Sequence, residues 1–340
     1  MTAGLATIEV VRGRLPDERA EQILSFWSAH GALEGEAARR RLPEVVCVAL
    51  DDGGEIVGVN SAIAEDISRV GRFWRYRSLL PGGGEELAAV MCNEAFDALG
   101  EGFDPDVPGP IGLAVKISDP AEMERRTEAV WPTEELFFAG YLEDGGQLRL
   151  RYFWNATIGP GLPNSPLLED TRDEDFPIGG EYRVAPLDGS GITSEDVLGL
   201  WKRETGIPEA DALRRVHEVH LVAVKRDGDL AAIATAYIQR NAWLRMDFWH
   251  IRTYVAVDER HSNLAGRLAL AVRDLLEQRF VDGEDTRAAG IVMEIENEGL
   301  RTYFNRALWL PLGLHFIGTN QRGDHVRVRY FPGVRVPTPG

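Results

Sequence analysis

A turn in the second half of the chain gathers residues that suit an anion. Residues 253–257 form a β-branched, apolar run, and after a short polar stretch the apolar positions of residues 264–276 recur with the spacing of one buried helix face. A helix start exposes free backbone N–H groups and the positive end of the helix dipole, which favour a phosphate. The turn also carries cationic or protonatable groups and a small residue: Arg260, His261, Arg267 and Gly266. The pattern predicts an anion site, and an ordinary strand–turn–helix connection is the alternative.

The same stretch resembles the acetyl-CoA-binding core of the Gcn5-related N-acetyltransferases, the GNAT superfamily. In that family a strand ending V-x-V leads into a loop written Q/R-x-x-G-x-G/A, whose amides hold the pyrophosphate of the cofactor. Here the run V-A-V (255–257) leads into H-S-N-L-A-G (261–266), with His261 at the usual Arg or Gln and Leu264 at the first Gly. The resemblance implies acetyl-CoA, or another acyl-CoA, as cofactor. The residues implied to bind it are Val255, Ala256, Val257, Arg260, His261, Ser262, Asn263, Leu264, Ala265, Gly266, Arg267, Asn297 and Tyr303.

The segment after the next predicted strand resembles the closing motif of the same family, N-x-x-A-x-x-x-Y. It follows the run G-I-V-M-E-I (290–295), and Asn297 stands at the Asn of the motif. In the family this Asn contacts the pantetheine arm and the Tyr protonates the departing thiolate. Here Phe304 holds the Tyr position and Tyr303 stands one residue earlier, which turns a helical side chain by about 100°. By this resemblance Tyr303 is the candidate general acid, and packing of both aromatic rings is the alternative.

Acyl transfer to an amine needs a group that accepts the proton of that amine. The candidates are His250, on the strand leading into the loop, and Glu294 and Glu296, on the neighbouring strand. Strand alternation places Glu294 and Glu296 on one side of the sheet and Ile295 on the other. We favour Glu296 and His250, because both are expected near the point where the two strands part. The alternative for each is an ordinary polar residue at a strand end.

The composition argues against several classes of function. The 340 residues carry a formal net charge of −17 with no Lys/Arg block, which argues against nucleic acid and against an anionic membrane surface. Only Cys47 and Cys92 occur, so a disulfide framework is excluded and a reducing cytoplasm is expected. We expect no secretory signal, and no apolar run approaches the ~18 residues that span a bilayer. His217-x-x-His220 has no Cys or carboxylate at ligand spacing, so no metal site is predicted.

An internal repeat with a period of about 175 residues organises the chain. The segment R-R-L-P-E-V (40–45) is echoed by R-R-V-H-E-V (214–219), and F-W-R-Y-R (73–77) by F-W-H-I-R (248–252). Residues 136–153 and 314–331 share eight identities in eighteen positions. Two copies of such a long repeat indicate duplicated domains rather than a solenoid.

The repeat sets the predicted domain boundaries. Residues 159–180 are rich in Pro, Gly, Asn and acidic residues and show neither period, which is typical of a linker. We predict an N-terminal domain at residues 1–158, a linker at 159–180 and a C-terminal domain at 181–340. Each copy shows the element order of a GNAT domain. The resemblance implies an α/β fold class with two tandem GNAT domains, each a mixed, mostly antiparallel sheet flanked by helices, whose central parallel strands splay apart to admit the cofactor.

The first copy is the poorer candidate for catalysis. Its loop L-L-P-G-G-G-E-E (79–86) offers three glycines to a phosphate, but Pro81 lacks a donor and the two glutamates add negative charge. Asp119 replaces the Asn of the motif, and the predicted helix 121–130 contains no Tyr. We therefore expect acyl-CoA in the second copy. The first copy is then structural, holds a cofactor without turnover or forms a wall of the substrate site, and the opposite assignment stays open.

The expected function is that of a cytoplasmic tandem GNAT acyltransferase that passes an acyl group, most simply acetyl, directly to the amine of a small molecule. The negative net charge suits a cationic or amine substrate through electrostatic steering. Two alternatives stay open: a non-catalytic acyl-CoA-binding or regulatory protein, and an aminoacyl transferase that uses charged tRNA, against which the lack of a basic groove argues. The acceptor amine and the acyl length stay open, and both a monomer and a homodimer are compatible with the sequence.

Overall fold

The computed structural model describes residues 6–159, 182–260, 264–296, 298–303, 305–310 and 312–337. The chain divides into two compact units, with the boundary between Ile158 and Gly159, which we call the N-unit and the C-unit. Beyond Gly159, the predicted linker lies outside the described residues. Within the described ranges, every helix is too short or too polar to cross a membrane.

The N-unit is one eight-stranded sheet with a separate hydrophobic core on each face. One core lies under the first two helices and the other under the third. Its elements are β1 (Thr7–Val10), α1 (Asp17–Ala29), α2 (Gly35–Arg41), β2 (Val45–Leu50), β3 (Ile56–Ile67), β4 (Gly71–Leu79), α3 (Glu85–Gly100), β5 (Gly112–Ile117), α4 (Pro120–Arg125), β6 (Val130–Trp131), β7 (Leu136–Tyr141) and β8 (Gln147–Tyr152).

The C-unit repeats this architecture. Its elements are β9 (Tyr182–Pro186), α5 (Ser194–Glu204), α6 (Glu209–Arg215), β10 (Val219–Lys225), β11 (Leu230–Asn241), β12 (Met246–Val255), α7 (Leu264–Val281), β13 (Gly290–Ile295), α8 (Glu298–Tyr303), β14 (Leu308–Trp309), β15 (Leu314–Thr319) and β16 (His325–Tyr330). Helix α7 buries Leu264, Leu268, Val272 and Leu276, spaced four apart as one apolar stripe requires.

The two sheets have the same strand order. It runs β1-β2-β3-β4-β5-β8-β7-β6 in the N-unit and β9-β10-β11-β12-β13-β16-β15-β14 in the C-unit. All neighbouring strands are antiparallel except the central pairs β4–β5 and β12–β13, which are parallel. The structure therefore confirms the predicted fold class, two mixed, mostly antiparallel sheets flanked by helices.

The helix predicted at residues 121–130 is shorter than expected. It ends at Arg125, because Val130 and Trp131 pair with β7 as the short strand β6. The C-unit has the equivalent pair, with Leu308 and Trp309 in β14. A two-residue strand is too short to show an alternating pattern in the sequence.

A buried arginine stacked on tryptophan closes the same corner of both units. The Arg149 guanidinium lies 4.2 Å from the Trp131 ring centroid, and Arg327 lies 4.3 Å from that of Trp309. Both arginines are fully buried. Each donates to two backbone carbonyls just before its tryptophan: Glu128 O and Arg126 O for Arg149, Ala307 O and Arg306 O for Arg327. The planar fork of the guanidinium thus binds two carbonyl groups at once.

Substituting Arg327→Lys should destabilise the C-unit by about 2–4 kcal/mol, because a lysine ammonium in this buried position cannot reproduce the hydrogen bonds of the planar fork. Urea unfolding followed by circular dichroism measures this loss. Arg149→Lys should have an effect of similar size on the N-unit. The exposed Arg240→Lys serves as the control and should stay within about 0.5 kcal/mol of the wild type. A loss for Arg327→Lys no larger than for Arg240→Lys would contradict the assigned role.

Candidate functional site

The parallel pair at the centre of the C-unit stays together for only two residues. Trp249 pairs with Ile291 and His250 with Val292, and within the described residues the pairing of β12 with β13 ends there. Strand β13 continues along β16 up to Ile295, while β12 continues along β11 up to Val255. The two strands therefore part toward their carboxyl ends, as predicted for this position.

The backbone of β12 directs hydrogen-bonding groups into the gap. Ala256 N donates to Ala231 O on the β11 side, and Asp247 O accepts from Ala289 N on the β13 side. Because these directions alternate along a strand, the N–H groups of Thr253 and Val255 point to the β13 side, where β13 no longer pairs with them. A ligand entering the gap would meet these amides.

The candidate bases lie on one face of the sheet. Side chains of β12 alternate, so His250 lies beside Tyr237, with ring centroids 5.2 Å apart, while Trp249 contacts His220 on the other face. On β13, Glu294 and Glu296 are exposed and Ile295 is buried, as predicted from strand alternation.

His250 is a weaker base than expected from the sequence. Its side chain is buried, and its Nε2 atom has no hydrogen-bond partner within the described chain. Burial, reinforced by the nearby Arg252, lowers the pKa of His250 to about 4. The imidazole is therefore neutral at pH 7, but its pKa lies well below the value near operating pH that favours general-base catalysis.

Glu294, on β13, and Glu296, one residue past the end of β13, share one arginine. Arg322 Nη2 lies 3.1 Å from Glu294 Oε2 and 3.2 Å from Glu296 Oε1. Asn320 Nδ2 also donates to Glu294 Oε2, at 3.1 Å. The Glu296 side chain is 70% exposed and that of Glu294 31%. Glu294 is thus the more shielded carboxylate and is held by two donors.

The V-A-V segment differs from the predicted strand. Strand β12 ends at Val255, and Val257 begins a short 3₁₀ turn that ends at Glu259. Glu204 Oε2, on α5, accepts hydrogen bonds from Val257 N at 2.9 Å and from Tyr254 Oη at 3.1 Å. The amides of Ala256 and Val257 are therefore already engaged, and among the residues of this segment Val255 is the one whose amide faces the gap.

The predicted anion loop leads directly into α7. Leu264 is buried at the helix start, Ala265 is exposed, and Gly266 and Arg267 are half-buried. Within the described residues, Arg267 Nε is shielded from solvent and makes no hydrogen bond. Arg260 Nε approaches Val255 O at 3.5 Å. His261, Ser262, Asn263, Asn297, Phe304 and the side chain of Tyr303 lie outside the described part of the structure.

A cavity that the sequence analysis missed lies beside β12. Its volume is about 480 Å³, and it is bounded by α5, the end of α6, β11 and β12. Four of its lining residues are charged, namely Glu204, Arg215, Arg252 and Arg260. These positions are far apart in the sequence, so no local motif joins them.

The N-unit has a cavity at the equivalent gap. Strands β4 and β5 pair only from Trp74↔Leu113 to Tyr76↔Val115, and a cavity of about 270 Å³ lies where they part. Cys92 lines it, and burial raises the pKa of this thiol to about 12. The first turn of α3 carries Glu85 and Glu86.

Among the described residues, no cluster of three or more His, Cys, Asp and Glu side chains suits a metal ion. The pKa of His220, one of the two histidines of the H-x-x-H segment, is lowered, and burial is the main cause.

Comparisons with known proteins find resemblance in structure only. The sequence matches no protein-family model and no curated protein. An acetyltransferase of the GNAT family from Streptococcus pneumoniae is 11% identical, with 44% of this chain and 99% of that chain covered and a TM-score of 0.28. A GNAT family acetyltransferase from Brucella melitensis in complex with acetyl-CoA is 14% identical, with 48% and 95% covered and a TM-score of 0.30. A GCN5-related glucosamine N-acetyltransferase region of a fungal multi-domain β-N-acetylglucosaminidase is 12% identical, with 82% and 35% covered and a TM-score of 0.28. Similarity at this level leaves the function to be inferred from the residues of the chain itself.

Acidification should destabilise the C-unit through His250. Its folded-state pKa of about 4 lies below the unfolded value of about 6.5, so the stabilising contribution is complete above pH 6.5 and is lost as the pH falls toward 4. Between pH 7 and pH 4.5 the loss should be about 2–3 kcal/mol. Unfolding free energies of the wild type and of His250→Gln across this range measure it, and the variant should show a shallower pH dependence. Equal slopes for the two proteins would show that His250 is not buried in its neutral form.

Proposed function

We propose that the protein is an acyl-CoA-dependent N-acyltransferase that acts on the amine of a small molecule, with the C-unit as the catalytic unit. The observation that carries this proposal is the gap between β12 and β13, into which Thr253 and Val255 direct their amides. An unpaired strand edge inside a sheet is costly unless something hydrogen-bonds to it. A pantetheine arm, with its amides in series, is a suitable partner.

The residues present fit a pyrophosphate at the start of α7. This helix is 18 residues long, so its free N–H groups and dipole favour an anion at its first turn. Arg267 stands in that turn, its Nε has no hydrogen-bond partner among the described residues, and Arg260 precedes it. Gly266 leaves room for a bulky group. We infer that these residues, with the amides of the loop, hold the cofactor.

The proposed chemistry is a direct transfer. When bound, acyl-CoA supplies a thioester, whose carbon–sulfur bond breaks as the amine nitrogen bonds to the acyl carbon. The Val255 amide would donate to the carbonyl oxygen on which negative charge develops. The departing sulfur takes up a proton, and Tyr303, at the end of α8, remains the proposed donor.

Glu294 and Glu296 are the proposed proton acceptors for the amine. Both project from the face of the sheet on which His250 and Tyr237 lie, and the pKa of His250 is too low for this role. We place Glu294 ahead of Glu296, because it is more shielded and is held in position by Arg322 and Asn320. Glu296 would act through a water molecule.

The N-unit is proposed to have no catalytic role. It keeps the strand gap and a cavity, but Glu85 and Glu86 stand in the helix turn where a pyrophosphate would need positive charge. Like charges at this position oppose binding of an anion. The N-unit would therefore have a structural role.

The carboxylate variants test the catalytic assignment. Glu294→Gln/Glu296→Gln should lower kcat about 100-fold, with the affinity for acetyl-CoA unchanged, because only the proton acceptor is lost. Thiol release from acetyl-CoA with a panel of amines and amino acids measures kcat. The exposed neighbour Glu298→Gln is the matched control. Stabilisation by CoA without thiol release for any amine would identify a non-catalytic binder instead.

The arginine at the start of α7 tests the location of the cofactor. Arg267→Gln should weaken CoA binding by roughly tenfold, or about 1.4 kcal/mol, the size of a charge-assisted hydrogen bond. Isothermal titration measures this affinity, and native mass spectrometry counts the bound molecules. Arg279→Gln, in the last turn of the same helix, should leave the affinity unchanged. Equal affinities for the two variants would place the cofactor elsewhere.

A further inference from the structure

The cavity beside β12 is cationic although the protein is strongly acidic. Three arginines and one glutamate line it, whereas the whole chain has a formal net charge of −17. Trp201 and Tyr254 supply aromatic walls. A cavity of this composition and of about 480 Å³ suits a small molecule that carries an anionic group.

The three arginines differ in how far they are already engaged. Arg252 lies 3.5 Å from Glu218 and over the Tyr237 ring, at 4.1 Å from its centroid. Arg260 lies over Tyr254 at 6.0 Å and reaches the carbonyl of Val255. Arg215 makes no ion pair within the described chain, and its Nε is shielded from solvent without a hydrogen-bond partner. A shielded guanidinium N–H without an acceptor is costly, and a ligand oxygen would relieve that cost.

The N-unit provides an internal comparison. There the equivalent arginines, Arg41 and Arg77, both lie close to one carboxylate, at 3.8 Å and 3.2 Å from Glu44 Oε2. In the described part of the C-unit, Arg252 is the one arginine within 4 Å of the equivalent carboxylate, Glu218. All three residues are thus present in both copies. In the C-unit, however, the guanidinium of Arg215 lines the cavity and does not pair with the carboxylate. The shape of the guanidinium matches a carboxylate, which accepts two parallel hydrogen bonds from it.

The cavity lies on the face used by the proposed chemistry. Arg252 and Tyr254 project from β12 on the same side as His250, and Thr253, whose amide points into the strand gap, also lines the cavity. A carboxylate bound by Arg215 and Arg252 would leave the amine of the same molecule free to face the gap and Glu294.

We propose that the acceptor is an amino acid or a similar amine bearing a carboxylate, and that Arg215 and Arg252 bind this carboxylate. The proposal rests on the proposed function for the role of the amine. The binding of the carboxylate does not depend on it. The negative net charge of the chain then attracts the ammonium group as the molecule approaches, while the arginines fix the orientation of the bound molecule.

Binding without acyl-CoA tests the proposal independently of catalysis. Tryptophan fluorescence and thermal shift should show that amino acids bind at least tenfold more tightly than the corresponding amines lacking the carboxylate. Arg215→Gln and Arg252→Gln should each remove most of this preference while keeping the melting temperature. Arg214→Gln is the matched control, because Arg214 lies next to Arg215 on α6, is exposed and pairs with Asp211.

Three outcomes would overturn the assignment: decarboxylated amines binding as tightly as amino acids, inorganic phosphate binding more tightly than any carboxylate, or Arg215→Gln behaving like Arg214→Gln. A protein that binds amino acids through these arginines but releases no thiol from acetyl-CoA would refute the proposed transferase and leave the carboxylate site standing. Thiol release with amines that lack a carboxylate, and not with amino acids, would support the proposed transferase and refute the carboxylate site.

Discussion

The chemistry available to the C-unit depends on a parallel strand pair that stops after two residues. Strand β13 follows β16 and strand β12 follows β11, and each antiparallel partnership continues beyond the point where the parallel one ends. The right-handed twist of each strand pair then carries β12 and β13 apart. The resulting gap puts backbone donors inside the sheet, where a long, narrow ligand can bind as a guest strand does.

The fold was predicted from a family resemblance, an internal repeat and local sequence patterns together. Alternating apolar runs around Asp/Gly turns mark the hairpins, and in the structure Asp51 Oδ1 accepts from Gly53 N and Glu55 N in one such turn, at 2.9 Å each. The repeat made each half a check on the other. The strands at Val130 and Leu308 were missed because two residues carry no period.

The site was predicted less completely, because its decisive features depend on contacts between distant parts of the chain. Glu204 accepts a hydrogen bond from the amide of Val257, although the two residues are 53 positions apart in the sequence. Nothing near Val257 in the sequence indicates this bond. In the sequence, His250 looks like an ordinary polar residue of a strand. Its burial depends on the residues that pack over that face of the sheet. The sequence also does not indicate that Arg215 lacks an ion pair within the described chain. In the N-unit, the second arginine of the same R-R-x-x-E-V pattern lies close to the glutamate of that pattern.

The two cysteines have a consequence for the proposed transfer of an activated acyl group. Burial raises the pKa values of Cys47 and Cys92 to about 12, so both side chains remain thiols at neutral pH. The thiolate is the form that attacks a thioester, and the chain has no other cysteine. An acyl group brought to this protein therefore finds no internal sulfur to which it could migrate. In the proposed reaction, self-acylation on cysteine would be a wasteful side reaction, and the burial of both thiols opposes it.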